Sequence, residues 1–315
     1  MTQTTMAHPP PLGCHVAAVL FMTKNEDLDR DAIEAHILRL AQGGVAGILV
    51  QGDNGEAQLL SEAERREVIR ITRETLDQNG FSNIPVIAGA SAPSTKVTVQ
   101  LCKEAGDSGA SHALVLAPVP WPLKITPESA ITSYQEIADK SPIPIIIYNF
   151  PTVTNGLNLD SDAIKELAKH PNIVGVKLAC GEMGKLHRLT SIFSPSEFGI
   201  YTSTTDCMLH GLISGCAGTM AASPNIVPKL HVRLYNLFKE GKVDEALKLQ
   251  TDIAHADWAK TKLGSLSAIK TVVAKNFGYG SNVVRSPLKA VGKDSFVGSK
   301  HYAALEKVIT LEKQL

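Results

Sequence analysis

The stretch Gln42-Gly43-Gly44-Val45-Ala46-Gly47-Ile48-Leu49-Val50 is the phrase from which the fold can be read. Glycine ends a helix at little steric cost because it accepts the left-handed conformation. The apolar run that follows does not alternate with polar residues, so it reads as a strand covered on both faces, as in parallel sheets. The phrase returns at Ala105-Gly106-Asp107-Ser108-Gly109-Ala110-Ser111-His112-Ala113-Leu114-Val115-Leu116 and at Ile213-Ser214-Gly215-Cys216-Ala217-Gly218-Thr219-Met220. Eight such strands are expected, starting near Val16, Gly47, Pro85, Ala113, Pro144, Ile173, Gly199 and Ala217.

Between them, capping residues mark helix starts. Ser61 with Glu64 makes a capping box, Thr126 precedes Pro127, and Asp160 or Ser161 opens the helix before Lys177. Ile33, Ile37 and Leu40 share one face of a helix. Eight strand–helix units predict an α/β protein with a (β/α)8 TIM barrel over residues 14–223, in preference to an open doubly wound sheet. Residues 1–13 are expected to be a flexible N-terminus. After Met220 the strand pattern stops. Pro224 to Gly241, Val243 to Gly264, Ser265 to Gly278 and the tail from His301 read as helices, so residues 224–315 are expected to form a C-terminal helical extension.

With 315 residues, 44% of them hydrophobic and 20% charged, the chain can bury a large core. Lys+Arg and Asp+Glu are both 31, which gives no electrostatic reason to expect nucleic acid or an anionic membrane as partner. Weak self-repulsion is compatible with a homo-oligomer. Cys14, Cys102, Cys180, Cys207 and Cys216 form no CxxC pair and no zinc-like cluster, so they read as reduced thiols. The first 13 residues fit neither a secretory signal nor a transit peptide, and no apolar run approaches the roughly 20 residues of a membrane span. A cytoplasmic location is expected.

In a barrel the active site sits at the C-terminal ends of the strands, so polar residues there are candidates. They are Asp53 and Asn54, Ser91, Tyr148 and Asn149, Lys177, and Ser203 to Asp206. Lys177 closes the apolar run Asn172-Ile173-Val174-Gly175-Val176-Lys177-Leu178. An ammonium there is desolvated at a cost of several kcal/mol unless it is paired or neutralised. At an ordinary pKa of ~10.4, fewer than about one lysine in a thousand is neutral at pH 7; burial can lower the pKa to ~7–8 and produce a nucleophile. Snorkelling to the rim or pairing with Glu182 is the other reading. Tyr148, closing Pro144-Ile145-Ile146-Ile147-Tyr148, is either a core aromatic or a proton carrier for imine chemistry. Gly52-Asp53-Asn54-Gly55-Glu56 is a turn, either a plain loop or a backbone nest for a carboxylate.

Gly52-x-x-Gly55-Glu56, then Tyr148-Asn149-x-Pro151, then Gly175-Val176-Lys177 together resemble the dihydrodipicolinate synthase / N-acetylneuraminate lyase superfamily of class I aldolases. The resemblance runs from about Val16 to beyond Pro224. It implies a barrel, commonly a tetramer, that binds pyruvate or another 2-oxo acid as an imine. Lys177 would then be the imine lysine and Tyr148 the general acid/base, with Gly52, Asp53 and Asn54 holding the carboxylate and relaying protons. Met220 is a further candidate contact, and Trp121 and Ser203 would shape the pocket. No metal and no cofactor is implied.

Three departures bear on the substrate. Asp53 stands where the family usually has a hydroxyl residue. Pro118-Val119-Pro120-Trp121-Pro122 replaces a pair of tyrosines after a proline. Thr152-Val153-Thr154-Asn155-Gly156 holds no arginine where the synthases bind a second carboxylate. The expected function is therefore a class I aldolase joining or separating pyruvate and an aldehyde, on a 4-hydroxy-2-oxo acid or a 2-keto-3-deoxy sugar acid. A dehydratase or decarboxylase using the same lysine, a metal-dependent aldolase using Asp53, Glu56 and His112, and a barrel that binds an oxo acid without turnover are the alternatives.

Overall fold

The structure, a computed structural model, describes residues 7–118, 124–292, 296 and 298–315. Eight parallel strands alternate with helices: β1 (Gly13–Ala17), α1 (Arg30–Gln42), β2 (Gly47–Val50), α2 (Glu62–Gln78), β3 (Val86–Gly89), α3 (Thr95–Asp107), β4 (His112–Leu116), α4 (Pro127–Lys140), β5 (Ile145–Asn149), α5 (Ser161–Leu167), β6 (Ile173–Leu178), α6 (Met183–Thr190), β7 (Gly199–Thr202), α7 (Met208–Ile213), β8 (Gly218–Ala221) and α8 (Pro228–Lys239). Each strand pairs with the next and β8 returns to β1, so the sheet closes into the expected barrel. The capping signals act as read. Ser61 and Glu64 bond reciprocally at the start of α2, and the Thr126 and Asp160 side chains accept backbone N–H groups at the starts of α4 and α5. Ile33, Ile37 and Leu40 are buried against the strands, each such side chain contributing about 1.5–3 kcal/mol of apolar burial.

Side chains on the two faces of the strands form two different cores. Outward residues pack under the helices, and inward residues, among them Leu49, Ile87, Ile146, Val174, Tyr201 and Met220, fill the barrel. Strand β6 breaks the simple alternation. Ile173, Val176 and Leu178 belong to the outer layer and Val174 to the inner one, and the pairing with β5 slips by one residue between Ile145 and Ile146. Strict alternation from Ile173 would send Lys177 outward under the helices. The slip turns it inward instead. Gly175 sits at the slip, where a Cβ would come within 2.5 Å of the Gly199 carbonyl oxygen.

The described part of the N-terminal segment is tied to the barrel floor. Tyr201 donates to the Pro10 carbonyl at 2.8 Å, and His112 Nε2 lies 2.9 Å from the His8 carbonyl. These contacts hold residues 8–10 in place, unlike the loose lead-in expected of 1–13. At the other boundary, α8 packs against β1 as the helix of the eighth unit. Beyond it lie α9 (Val243–Lys262), α10 (Leu266–Phe277) and α11 (Lys300–Glu312).

The segment from α10 to residue 288 is fastened to the loop after β2. Lys270 of α10 makes an ion pair with Glu56, and both side chains are fully buried. The second Glu56 oxygen accepts the Arg285 backbone N–H at 2.8 Å. The Arg285 guanidinium in turn donates to Leu59 O and both carboxylate oxygens of Glu64, and holds the Glu64 carboxyl down at about 2. Removing one partner of a buried pair leaves a desolvated charge behind. Lys270→Met is therefore expected to lower the urea-unfolding free energy by about 3–5 kcal/mol. Adding Glu56→Gln should restore part of that loss; a Lys270→Met protein as stable as the parent would contradict the clamp.

Candidate active site

Register brings Tyr148 and Lys177 side by side, as direct partners on β5 and β6. The Lys177 Nζ lies 4.2 Å from the centre of the Tyr148 ring. Lys177 is 2% exposed, and burial brings its pKa down to about 7 against the opposing pull of the Asp53 carboxylate. A free amine is then accessible near neutral pH. Tyr148 moves the other way: burial, helped by Asp53, holds its phenol well above the usual tyrosine range, and Ser203 hydrogen-bonds it. The phenol stays protonated and can donate. A nucleophilic amine beside a protonated acid is the pair that imine formation requires.

The loop after β2 is bent into its shape. Gln51 and Glu56 flank the turn with φ of 56° and 54°, left-handed values that non-glycine residues adopt at a cost of about 1–3 kcal/mol each. Gly89 of β3 makes room, since a Cβ there would overlap the Gln51 carbonyl oxygen. Arg65 of α2 supports the loop from behind, donating to the carbonyls of Gly89 and Ala57 while its own carbonyl accepts from the Gln51 side chain. The short turn Asp53–Gly55 projects Asp53 into solvent at the barrel mouth.

A cavity of about 380 Å³ opens at this end of the barrel. Gly52, Asp53, Ser91 and Tyr148, all singled out from sequence, line it. The cavity lining does not include Lys177, whose amine rests over the Tyr148 ring. Asn54 is half-buried within the turn, and Ser203 reaches the site through the Tyr148 hydroxyl. Met220 is fully buried inside the barrel and packs with the inner core, away from the cavity lining. Trp121 lies outside the described residues.

The trio Asp53, Glu56 and His112 is not assembled as a metal site. His112 starts β4 at the floor, bonded to His8, and Glu56 is engaged by Lys270. Among the described residues no group of three or more His, Cys, Asp or Glu converges to hold a metal. Asn149 of the Tyr-Asn-x-Pro motif anchors the next loop, accepting from Leu159 N at 3.0 Å and donating to Asn158 at 2.9 Å.

Sequence reasoning missed Gln51, Gln58, Leu114, Leu116, Val153, Pro287 and Leu288 as cavity walls. Leu114 and Leu116 were legible as positions near a strand end. Pro287 and Leu288 carry no local signal at all, because only the clamp on Arg285 brings them there.

Residues 10–305 match the dihydrodipicolinate synthetase family. The chain is 41% identical over 311 residues to a protein of Emericella nidulans named "Probable 4-hydroxy-2-oxoglutarate aldolase, mitochondrial", covering 98% of this chain and 99% of that one. It is 39% identical over 292 residues to the L-threo-3-deoxy-hexylosonate aldolase of Hypocrea jecorina, with 89% and 92% covered. Among solved structures, a dihydrodipicolinate synthase family protein from Coccidioides immitis superposes with a TM-score of 0.85 at 32% identity, over 97% of this chain and 98% of the other. With its closed barrel, its strand-end lysine and these matches along almost its whole length, the chain belongs to the dihydrodipicolinate synthetase family.

Proposed function

We propose that the protein is a class I aldolase that makes or breaks the bond between C3 of pyruvate and an aldehyde, with Lys177 as the imine lysine. The observation that carries this reading is the buried Lys177 amine, with its pKa near 7, against the Tyr148 ring. The names of the two curated relatives, both aldolases, support it.

In the cleavage direction, Lys177 rotates from the Tyr148 ring into the cavity and attacks C2 of a 4-hydroxy-2-oxo acid. Water leaves and the protonated imine forms. Tyr148, having given its proton to the departing water, takes up the C4 hydroxyl proton, and the C3–C4 bond breaks. Its electron pair moves into the imine to give an enamine, and the aldehyde departs. Protonation at C3 and hydrolysis of the imine release pyruvate and restore the amine. The substrate carboxylate sits at the Gly52–Gly55 turn, whose leading N–H groups have no acceptor within so short a helix. No resident metal or cofactor is used.

The five free thiols fit a reducing compartment, cytosol and mitochondrial matrix alike. Among the described residues no helix is long and apolar enough to cross a membrane. Exposed Leu247 and Trp258 on α9 support assembly of two or four copies.

Pyruvate with borohydride should add one reduced pyruvyl group, found on Lys177 by mass spectrometry and absent from Lys177→Ala; no adduct on folded protein would sink the proposal. Tyr148→Phe should slow turnover by about 10²–10⁴-fold while trapping on Lys177 still occurs on long incubation. Only the free amine attacks, so the trapping rate should rise with pH through about 7. Asp53→Asn removes a charge that raises the Lys177 pKa, so this limb should move to lower pH; a limb that stays put or moves up would contradict the coupling.

A further inference from the structure

We infer that the aldehyde half of the cavity is built for an uncharged aldehyde and discriminates against a carboxylated one. This rests on the imine reading above and narrows it. Once Lys177 is committed to C2, the rest of the substrate beyond C3 must lie along the remaining wall. That wall is apolar: Leu114 and Leu116 from β4, Val153 from the loop after β5, and Pro287 and Leu288 from the clamped C-terminal segment.

The polar groups along it, Gln58 and Ser91, are neutral. Ser91 accepts the Leu116 N–H at 2.7 Å and keeps its hydroxyl proton to donate. The ionisable groups of the lining are acids and a phenol: Asp53, Glu56 and Tyr148. Glu56 is neutralised by Lys270. Asp53, exposed at the mouth, makes no salt bridge among the described residues, and no arginine or lysine stands in the described lining to answer a second carboxylate beyond the one held by the Gly52–Gly55 N–H groups.

A carboxylate moved into such surroundings loses its water without gaining a partner, and meets a like charge as well. An alkyl or hydroxylated arm meets apolar contacts and neutral hydrogen-bonding groups. Of the two kinds of substrate in the relatives' names, the one that releases an uncharged hydroxyaldehyde fits this wall, and the one that releases the anion glyoxylate does not.

A matched pair isolates the charge. Cleavage of 4-hydroxy-2-oxopentanoate gives pyruvate and acetaldehyde, whereas 4-hydroxy-2-oxoglutarate carries a carboxylate where the first has a methyl group and gives pyruvate and glyoxylate. The intact protein should favour the pentanoate in kcat/KM by about 10²-fold, measured as pyruvate release. Leu288→Arg places a cation at the mouth, on a side chain already 45% exposed, and should shift the ratio of the two kcat/KM values toward the glutarate by about tenfold or more. Equal kcat/KM on the pair, or a preference for the glutarate, with Lys177 still trapped by borohydride, would overturn the uncharged-aldehyde inference and leave the imine lysine standing. Loss of trapping on folded protein would overturn both.

Discussion

The exclusion of water around one amine is the constraint on which this molecule turns. Lys177 is 2% exposed, set between Tyr148 and Tyr201 of the neighbouring strands in the apolar interior of the barrel rather than beside a paired acid. An ammonium in that place is unfavourable, so burial brings the pKa down to about 7. The rest of the inner core serves this dryness. Tyr201 bonds Pro10 and His112 sits against the His8 carbonyl, so the floor is closed. Asp53, at the open end, is the one carboxylate that pulls the other way. Its pull sets a compromise between an amine that is free to attack and an ammonium that keeps its proton.

The C-terminal helices take part in the site as well as the fold. The buried Lys270–Glu56 pair joins residues more than 200 positions apart, and Arg285 repeats the connection with Glu64 in a partly buried pair. A paired buried charge gives little net stability compared with an apolar substitute, but it fixes one arrangement against others. Here the arrangement fixed is a strained loop, with Gln51 and Glu56 both left-handed, and the neighbouring wall of Pro287 and Leu288. The same contact thus shapes the Gly52–Glu56 turn on one side and the Pro287–Leu288 wall of the cavity on the other.

The repeating glycine–strand phrase and the capping boxes made the barrel legible, because both are local signals with local causes. The three motifs pointed to Lys177, Tyr148 and the Gly52–Glu56 turn, which lie at one end of the barrel as expected of strand-final residues. What could not be read was non-local or conformational. Nothing in Ile173–Leu178 announces the slip at Val174 that turns Lys177 inward. Met220 carried a strand-end position but faces the interior packing, and His112 sits at the opposite end of its strand from the chemistry. Glu56 was visible as part of a motif, yet its partner Lys270 lies in a helix whose own sequence gives no sign of it.

The most direct test of the central claim is a crystal structure of the protein soaked with pyruvate. The account predicts continuous density from the Lys177 Nζ to C2 of pyruvate, with the pyruvate carboxylate at the Gly52–Gly55 turn and the Tyr148 hydroxyl within hydrogen-bond reach of the new bond. Pyruvate bound without a covalent link, or joined to another lysine while Lys177 stays buried and unreacted, would contradict it.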